Sequence, residues 1–428
     1  MNIQFPYRYR VLILLFFLIL ITYLDRSCIS LVGVRIKSEF NLTNEQFGWV
    51  LASFSLAYAL FEIPSAIIGD RIGQRSVLIR IVIWWSLFTA LTGLSTGLFT
   101  LILVRFLFGI GEAGAFPNSS GVVSHWFPVK ETAKSISSLF VGLNAGAAIA
   151  PLIVIPIAIS FGWRATFFVN GAIGLLWVLI CFLWFRNNPS EMRTISKQER
   201  VFIEKNRRFI KHQKSFPWKI AFKNRSLRAL VAAFFCSQWG LYFFVAWMPV
   251  YLQEGRHLSE GNVKMIVSNL FIIGIVGSVI VGRVSDWLVK RKGLKFGRNL
   301  IGMLALGIPG ISFFIDAMSP SNTVIIISLI TGYLFFSFNG IVAFSACIDI
   351  GGDRAGTVAG IMNFLGQIGA FLFAIVFGKV ADYTKNFNAS LNILAVVLFT
   401  GALLWLAVDT NKPLATAVES THPVNKDL

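Results

Sequence analysis

VLILLFFLILITYL, residues 11–24, contains no charged side chain, and the apolar pattern returns soon after it in ISLVGV, residues 29–34. Between the two stretches stand Asp25 and Arg26. A helix needs about 20 mainly apolar residues to cross a bilayer, so 11–33 reads as one membrane span that carries two opposite charges. A charge at the centre of such a helix costs roughly 2.5–3.5 kcal/mol on insertion scales. Counting further stretches of this kind gives the fold. Asking why this one tolerates its charges gives the function.

Further apolar stretches lie near 46–68, 76–96, 98–120, 132–158 and 163–185, and a second set near 227–250, 262–285, 298–317, 322–346, 355–380 and 388–409. The expected fold is an all-α membrane protein with twelve transmembrane helices in two six-helix bundles. The composition agrees: 56% of the 428 residues are hydrophobic and 14% charged, where a soluble domain carries about 25% charged. The expected organisation is a first bundle over 1–185, a cytoplasmic linker over 186–226, a second bundle over 227–410 and a cytoplasmic tail over 411–428. The stretch MNIQFPYRYR precedes the first span without a small-residue cleavage site, which predicts a retained helix and not a removed leader.

Net charge is +18, which would suit nucleic acid were it not for where the charges lie. Residues 186–225 hold twelve Lys and Arg and three Glu, including ERVFIEKNRRFIKHQK, which predicts a short helix on the membrane surface. On the same side fall Arg8, Arg10, Arg71, Arg75, Lys130, Lys134, Lys290, Arg291, Lys292, Lys295 and Arg298, whereas the other side keeps only Arg35, Lys37, Arg164, Arg256, Lys264 and Lys385. That asymmetry orients membrane helices and predicts both termini in the cytoplasm. Short loops suggest a bacterial inner membrane. Cys28, Cys181, Cys236 and Cys347 have no paired spacing, so neither a disulfide framework nor a metal site is expected. No nucleotide-binding loop, HExxH or Ser/His/Asp set is present, so an enzyme is not expected, and neither is a cofactor other than a proton as coupling ion.

Helix geometry gathers the intramembrane charges. Asp25 lies fourteen residues past Val11, about 21 Å into a core of about 30 Å. The fourth span runs the other way, and Arg105 is seven residues past Leu98, about 10 Å from the opposite edge. Both residues therefore sit at nearly one depth, and Glu112, two turns beyond Arg105, shares its face. Arginine stays protonated and offers a planar fork to a carboxylate, so Arg26 and Arg105 are the expected anion-binding groups. Burial opposes the charge of a carboxylate and a nearby arginine favours it. Asp25 and Glu112 can each take a proton when the arginine turns to substrate, which is proton coupling. Buried salt bridges that merely fix packing would be poor stabilisers.

The second half supplies neutral polar groups: Gln238, Tyr242, Asn339 and Asn363. For Gln238, Asn339 and Asn144 alone, interhelical packing is as good a reading as substrate contact. Asp349, at the end of the tenth span, reads as a loop or gate residue. His125, beside Trp126 and Phe127, reads as an interfacial residue.

GDRIGQR (69–75) follows the second span and GRVSDWLVKRK (282–292) the eighth, so each sits at the same place in its half, as parallel repeats require. At these residues the chain resembles the major facilitator superfamily. The superfamily pattern fits Gly282 and Asp286, and also Asp70, Arg71 and Arg75, although Ala66 stands where its leading glycine is usual. The resemblance implies a cytoplasmic gate at these residues, a latch that closes with the cytoplasmic side. A narrower resemblance rests on YLDR (23–26), RFLFGIGEAGAFPN (105–118), HWFP (125–128), Gly162, Trp163, Arg164 and Phe167, and AGTVAGIMNFLGQIGA (355–370). Together these are similar to the anion:cation symporter family, which includes hexuronate, galactonate, glucarate, sialic-acid and vesicular glutamate carriers. It implies substrate and proton roles for Arg26, Arg105, Asp25 and Glu112. It also implies substrate contacts at Tyr23, Tyr58 and Asn363, and a polar position near Asn144.

One departure concerns the tenth span, where sugar-acid carriers of that family tend to present hydroxyl and Trp side chains. FNGIVAFSA (338–346) has Gly340, Val342 and Ala343 at that level, so a less polar carboxylate fits as well as a sugar acid. The expected function is proton-coupled import of an organic anion by alternating access. The alternative is a proton-driven exporter of a drug-like or siderophore-like compound, which would not need two midplane arginines. The expected partners are a small organic anion and the bilayer, not nucleic acid, and the chain is expected to act as a monomer.

Overall fold

The computed structural model describes residues 6–192, 194–207, 221 and 223–411. Twelve helices in it are long and apolar enough to cross a membrane: Tyr7–Leu31, Asn44–Ile72, Gln74–Thr92, Leu98–Trp126, Lys130–Phe161, Trp163–Trp184, Arg225–Gly255, Glu260–Lys292, Leu294–Met318, Asn322–Gly351, Ala355–Thr384 and Asn388–Ala407. They are numbered here as spans 1 to 12. The expected tail lies outside the described residues after residue 411, as does most of the linker's second half.

The helices overrun the apolar stretches where polar groups can support them. Span 1 begins at Tyr7 because Glu199 accepts from the backbone N–H groups of Tyr7 and Arg8 at 2.9 and 3.1 Å. A carboxylate there satisfies donors that a first turn leaves unpaired and suits the positive end of the helix dipole. Glu199 comes from the predicted short helix, which forms over Lys197–Asn206 and is capped by Ser196. Span 2 starts with a capping box between Thr43 and Gln46. The second repeated motif is helical throughout, since span 8 continues to Lys292, and the first runs from the last turn of span 2, which ends at Ile72, across Gly73 into span 3. Hydropathy marks only the part of a helix that sits in hydrocarbon, so these polar ends were read too short.

The repeat is visible in the turns. Gly73 joins spans 2 and 3 with φ +90°, and Gly293 joins spans 8 and 9 with φ +87°, a left-handed conformation that glycine adopts without a Cβ clash. It is visible in the packing too. Span 1 packs chiefly on span 5 and span 3 on span 6; six spans later, 7 packs on 11 and 9 on 12.

Contacts divide the chain into one unit of Met1–Ile210 with Val245–Ile272, and another of Lys211–Phe244 with Ile273–Leu428. Spans 7 and 8 thus each pass from one unit to the other. Span 7 changes unit at residues 244 and 245, inside a π-helical turn over Phe243–Trp247.

Candidate functional site

Span 1 places Tyr23 and Arg26 one turn apart, and the Arg26 guanidinium lies over the Tyr23 ring at 4.9 Å. Span 2 contributes Phe54 and Tyr58, also one turn apart, over which the same guanidinium lies at 4.9 and 4.7 Å. Span 4 brings Arg105, which lies over Phe108 at 4.5 Å and over Phe54 at 5.2 Å. The two arginines therefore share one aromatic ring. Cation–π contacts of this kind contribute about 0.5–2 kcal/mol each, more where water is excluded.

The approach of spans 2 and 4 depends on Gly109. A Cβ there would stand 2.6 Å from the Phe54 carbonyl and 2.9 Å from the Ala57 side chain.

Arg26 donates from Nε to Oε1 of Glu112, although Glu112 stands two turns beyond Arg105 on span 4. Glu112 is fully buried, Asp25 1% exposed and Arg105 3%. Among the described residues, Glu112 Oε2 and both oxygens of Asp25 have no hydrogen-bond partner. Asp25 does feel the charges of Glu112 and Arg105. Asp25 and Arg26 are neighbours in sequence yet make no pair, because successive residues on a helix point about 100° apart.

In the second unit, Tyr242 Oη donates to Gln367 Oε1 at 3.2 Å, linking spans 7 and 11. Gln238 lies one turn from Tyr242 and is buried, and its Oε1 has no partner among the described residues. Asn363 lies one turn from Gln367 and is half-buried. Asn339, on span 10, is buried with Val342 and Ala343. Asn144, on span 5, is buried and donates to the Phe140 carbonyl at 3.2 Å. Gln367 was missed in the sequence, as were Phe54 and Phe108. A polar residue one turn past Asn363, and an aromatic one turn before Tyr58, were the available signals.

At the end of span 2, Asp70 and Arg71 are exposed. Asp70 accepts from Gln74 Nε2 at 3.5 Å. Arg75 is held through its backbone N–H by Asn187 at 2.8 Å and through its guanidinium by the Phe182 carbonyl at 2.7 Å. Gly282 is half-buried on span 8, and the Asp286 side chain lies outside the described residues. Asp349, read as a loop or gate residue, lies on a helix and pairs with Arg298 at 2.9 Å, which also reaches Ser285.

At the opposite face three of the positive residues are matched by carboxylates. Arg35 forks onto Glu260 at 2.8 and 2.9 Å, Lys37 binds Glu254, and Arg164 binds Glu39. Among the described residues, no cluster of three or more His, Cys, Asp or Glu side chains could hold a metal ion.

A probable sulfoacetate transporter of Cupriavidus necator is 32% identical over 405 residues, 92% of each chain. A hexuronate transporter of Bacillus subtilis is 28% identical over 97% of this chain and 98% of its own. A bacterial homologue of the human lysosomal transporter Spinster, solved in an inward-facing and unoccupied conformation, shares the fold. Its TM-score is 0.75 at 20% identity, over 95% of this chain and 98% of that one. The family profile covers residues 15–374, so the described helices and their repeat are those of a membrane transporter, not an enzyme: the chain belongs to the Major Facilitator Superfamily.

Proposed function

We propose that the protein carries a small organic anion across the membrane, coupled to protons and inward, by alternating access. The observation that carries the reading is the pair of arginines over the Phe54 ring, Arg105 buried and Arg26 tied to the buried Glu112. An anion entering this site competes with Glu112 for Arg26. If it wins, Glu112 is left buried without its counter-charge, a cost that one proton removes. Loading and protonation then favour each other, as symport requires. Asp25, already buried without a donor, is the second proton position in this reading. Excess positive charge on the face of the termini supports a cytoplasmic location for both, in a bacterial inner membrane.

The substrate class follows from the same groups. Two arginine forks suit two acidic groups, and the sequence has Gly340, Val342 and Ala343 where the sugar-acid carriers it resembles tend to present hydroxyls. A relative bearing the name of a sulfoacetate transporter supports a compact anion with two acidic ends over a polyhydroxylated sugar acid.

A thermal-shift screen with organic acids, bases and neutral compounds tests the proposal, since a ligand of the folded state raises the melting temperature. Shifts confined to anions and lost in Arg105→Ala are expected. Shifts with cationic or bulky apolar compounds, indifferent to Arg105, overturn it in favour of an exporter.

A further inference from the structure

A groove of about 550 Å³ runs along the outside of the first unit between spans 1 and 6. Its walls are Ile13, Phe17 and Ile21 on one side and Leu176 and Ile180 on the other, and Trp177 forms its floor. The indole N–H of Trp177 is consumed by the Leu14 carbonyl at 2.9 Å, so the floor offers no free donor. Arg10 closes one end.

We infer that this groove holds one acidic phospholipid, with an acyl chain along the groove and the phosphate on Arg10. Length supports this. Arg10 and Ile21 are eleven residues apart, about 16 Å along a helix, which is about one leaflet of a 30 Å core.

The cation is held in position. Its guanidinium lies over the Tyr7 ring at 4.7 Å, and Tyr7 is stacked on Trp184 at 5.8 Å. Among the described residues no carboxylate pairs with Arg10, whereas Arg8, two residues earlier, is occupied by Glu131 and Glu199. A zwitterionic headgroup brings its own cation to the phosphate, and an acidic one does not, so charge complementarity selects the acidic lipid. Basic sites between transmembrane helices recognise acidic headgroups in this way.

Native mass spectrometry tests the inference on full-length protein, stripped of lipid and mixed with equal amounts of phosphatidylglycerol and phosphatidylcholine of identical chains. The wild type is expected to retain phosphatidylglycerol about fivefold over phosphatidylcholine, the preference one arginine confers near a headgroup. Arg10→Gln should bring the ratio close to one, and Arg10→Lys should keep most of it. Ile13→Trp, which fills the groove, should lower retention of both lipids. An unchanged ratio in Arg10→Gln, or unchanged retention in Ile13→Trp when both variants melt like the wild type, overturns the site.

Discussion

Arg26 and Glu112, eighty-six residues apart, are joined by a direct ion pair in the buried middle of the first unit. The pair is poorly explained as a stabilising device, because desolvation offsets much of the attraction between buried charges. It makes sense as a contact meant to be exchanged. Glu112→Gln keeps the shape and removes the charge that competes for Arg26. Anion binding is expected to persist or tighten in this variant, while uphill uptake driven by a proton gradient is lost in proteoliposomes. Uphill transport at the wild-type rate would remove Glu112 from the coupling step.

Arg105 tests the other half of the site. Arg105→Ala should weaken anion binding by about 10- to 100-fold, the range for one lost charge-assisted hydrogen bond. Arg105→Lys keeps the charge but not the fork, and should recover only part of the affinity. Calorimetric titration of both variants decides the matter. Equal affinity in Lys and wild type would mean that charge alone, without fork geometry, holds the anion.

The charged members of this site were legible because charges in apolar runs stand out. Asp25, Arg26 and Arg105 needed only helix rise and chain direction to be placed at one depth, with Glu112 on the same face two turns beyond Arg105. The aromatic members were not legible. Phe54 and Phe108 are two of 41 phenylalanines, and nothing local distinguishes a ring facing an arginine from one facing lipid. Pairing within the set was also hidden. The helical turn sends the neighbours Asp25 and Arg26 apart, and it is Glu112 from span 4 that pairs with Arg26. Helix ends were misread for a related reason, since Glu199 supports the start of span 1 from nearly two hundred residues away.

Two ion pairs at the face opposite the start of span 1 bear on gating. Arg35–Glu260 and Lys37–Glu254 tie the segment after span 1 to the ends of spans 8 and 7. All four residues lie in the first unit; under the proposed alternating access this face opens, so Glu254→Gln with Glu260→Gln should expose what the pairs cover. Ala158, whose carbonyl accepts from Arg35 at 3.0 Å, is buried. In a cysteine-free background, Ala158→Cys should react with an impermeant maleimide about two- to fivefold faster when both glutamates are neutralised, as pairs worth up to about 1 kcal/mol imply. An unchanged rate would assign these pairs no part in closure.

Glu39 gives a pH signature outside the spans. The Trp163 indole N–H at 2.6 Å and the Arg164 guanidinium hold its carboxyl below the usual glutamate range. A group lowered by folding stabilises the protein above its unfolded value, about 4.3, and the contribution is lost as pH falls through the lower folded value. Glu39→Gln should therefore melt below the wild type at pH 6, with the gap closing as pH falls below the unfolded value. A gap that is constant with pH would trace the effect to lost packing and not to the charge.

Gly109 links helix packing to binding. No side chain fits between it and the Phe54 carbonyl without moving span 2 from span 4, and Phe54 is the ring under both arginines. Gly109→Ala should therefore weaken anion binding more than it lowers the melting temperature would suggest, because the displaced ring leaves two cations at once. Phe54→Leu removes the ring without moving the backbone, and about 0.5–2 kcal/mol per lost contact predicts a severalfold or greater loss of affinity. If both variants bind the anion as the wild type does, the rings serve packing alone, and the arginines are positioned by Glu112 and the helices without them.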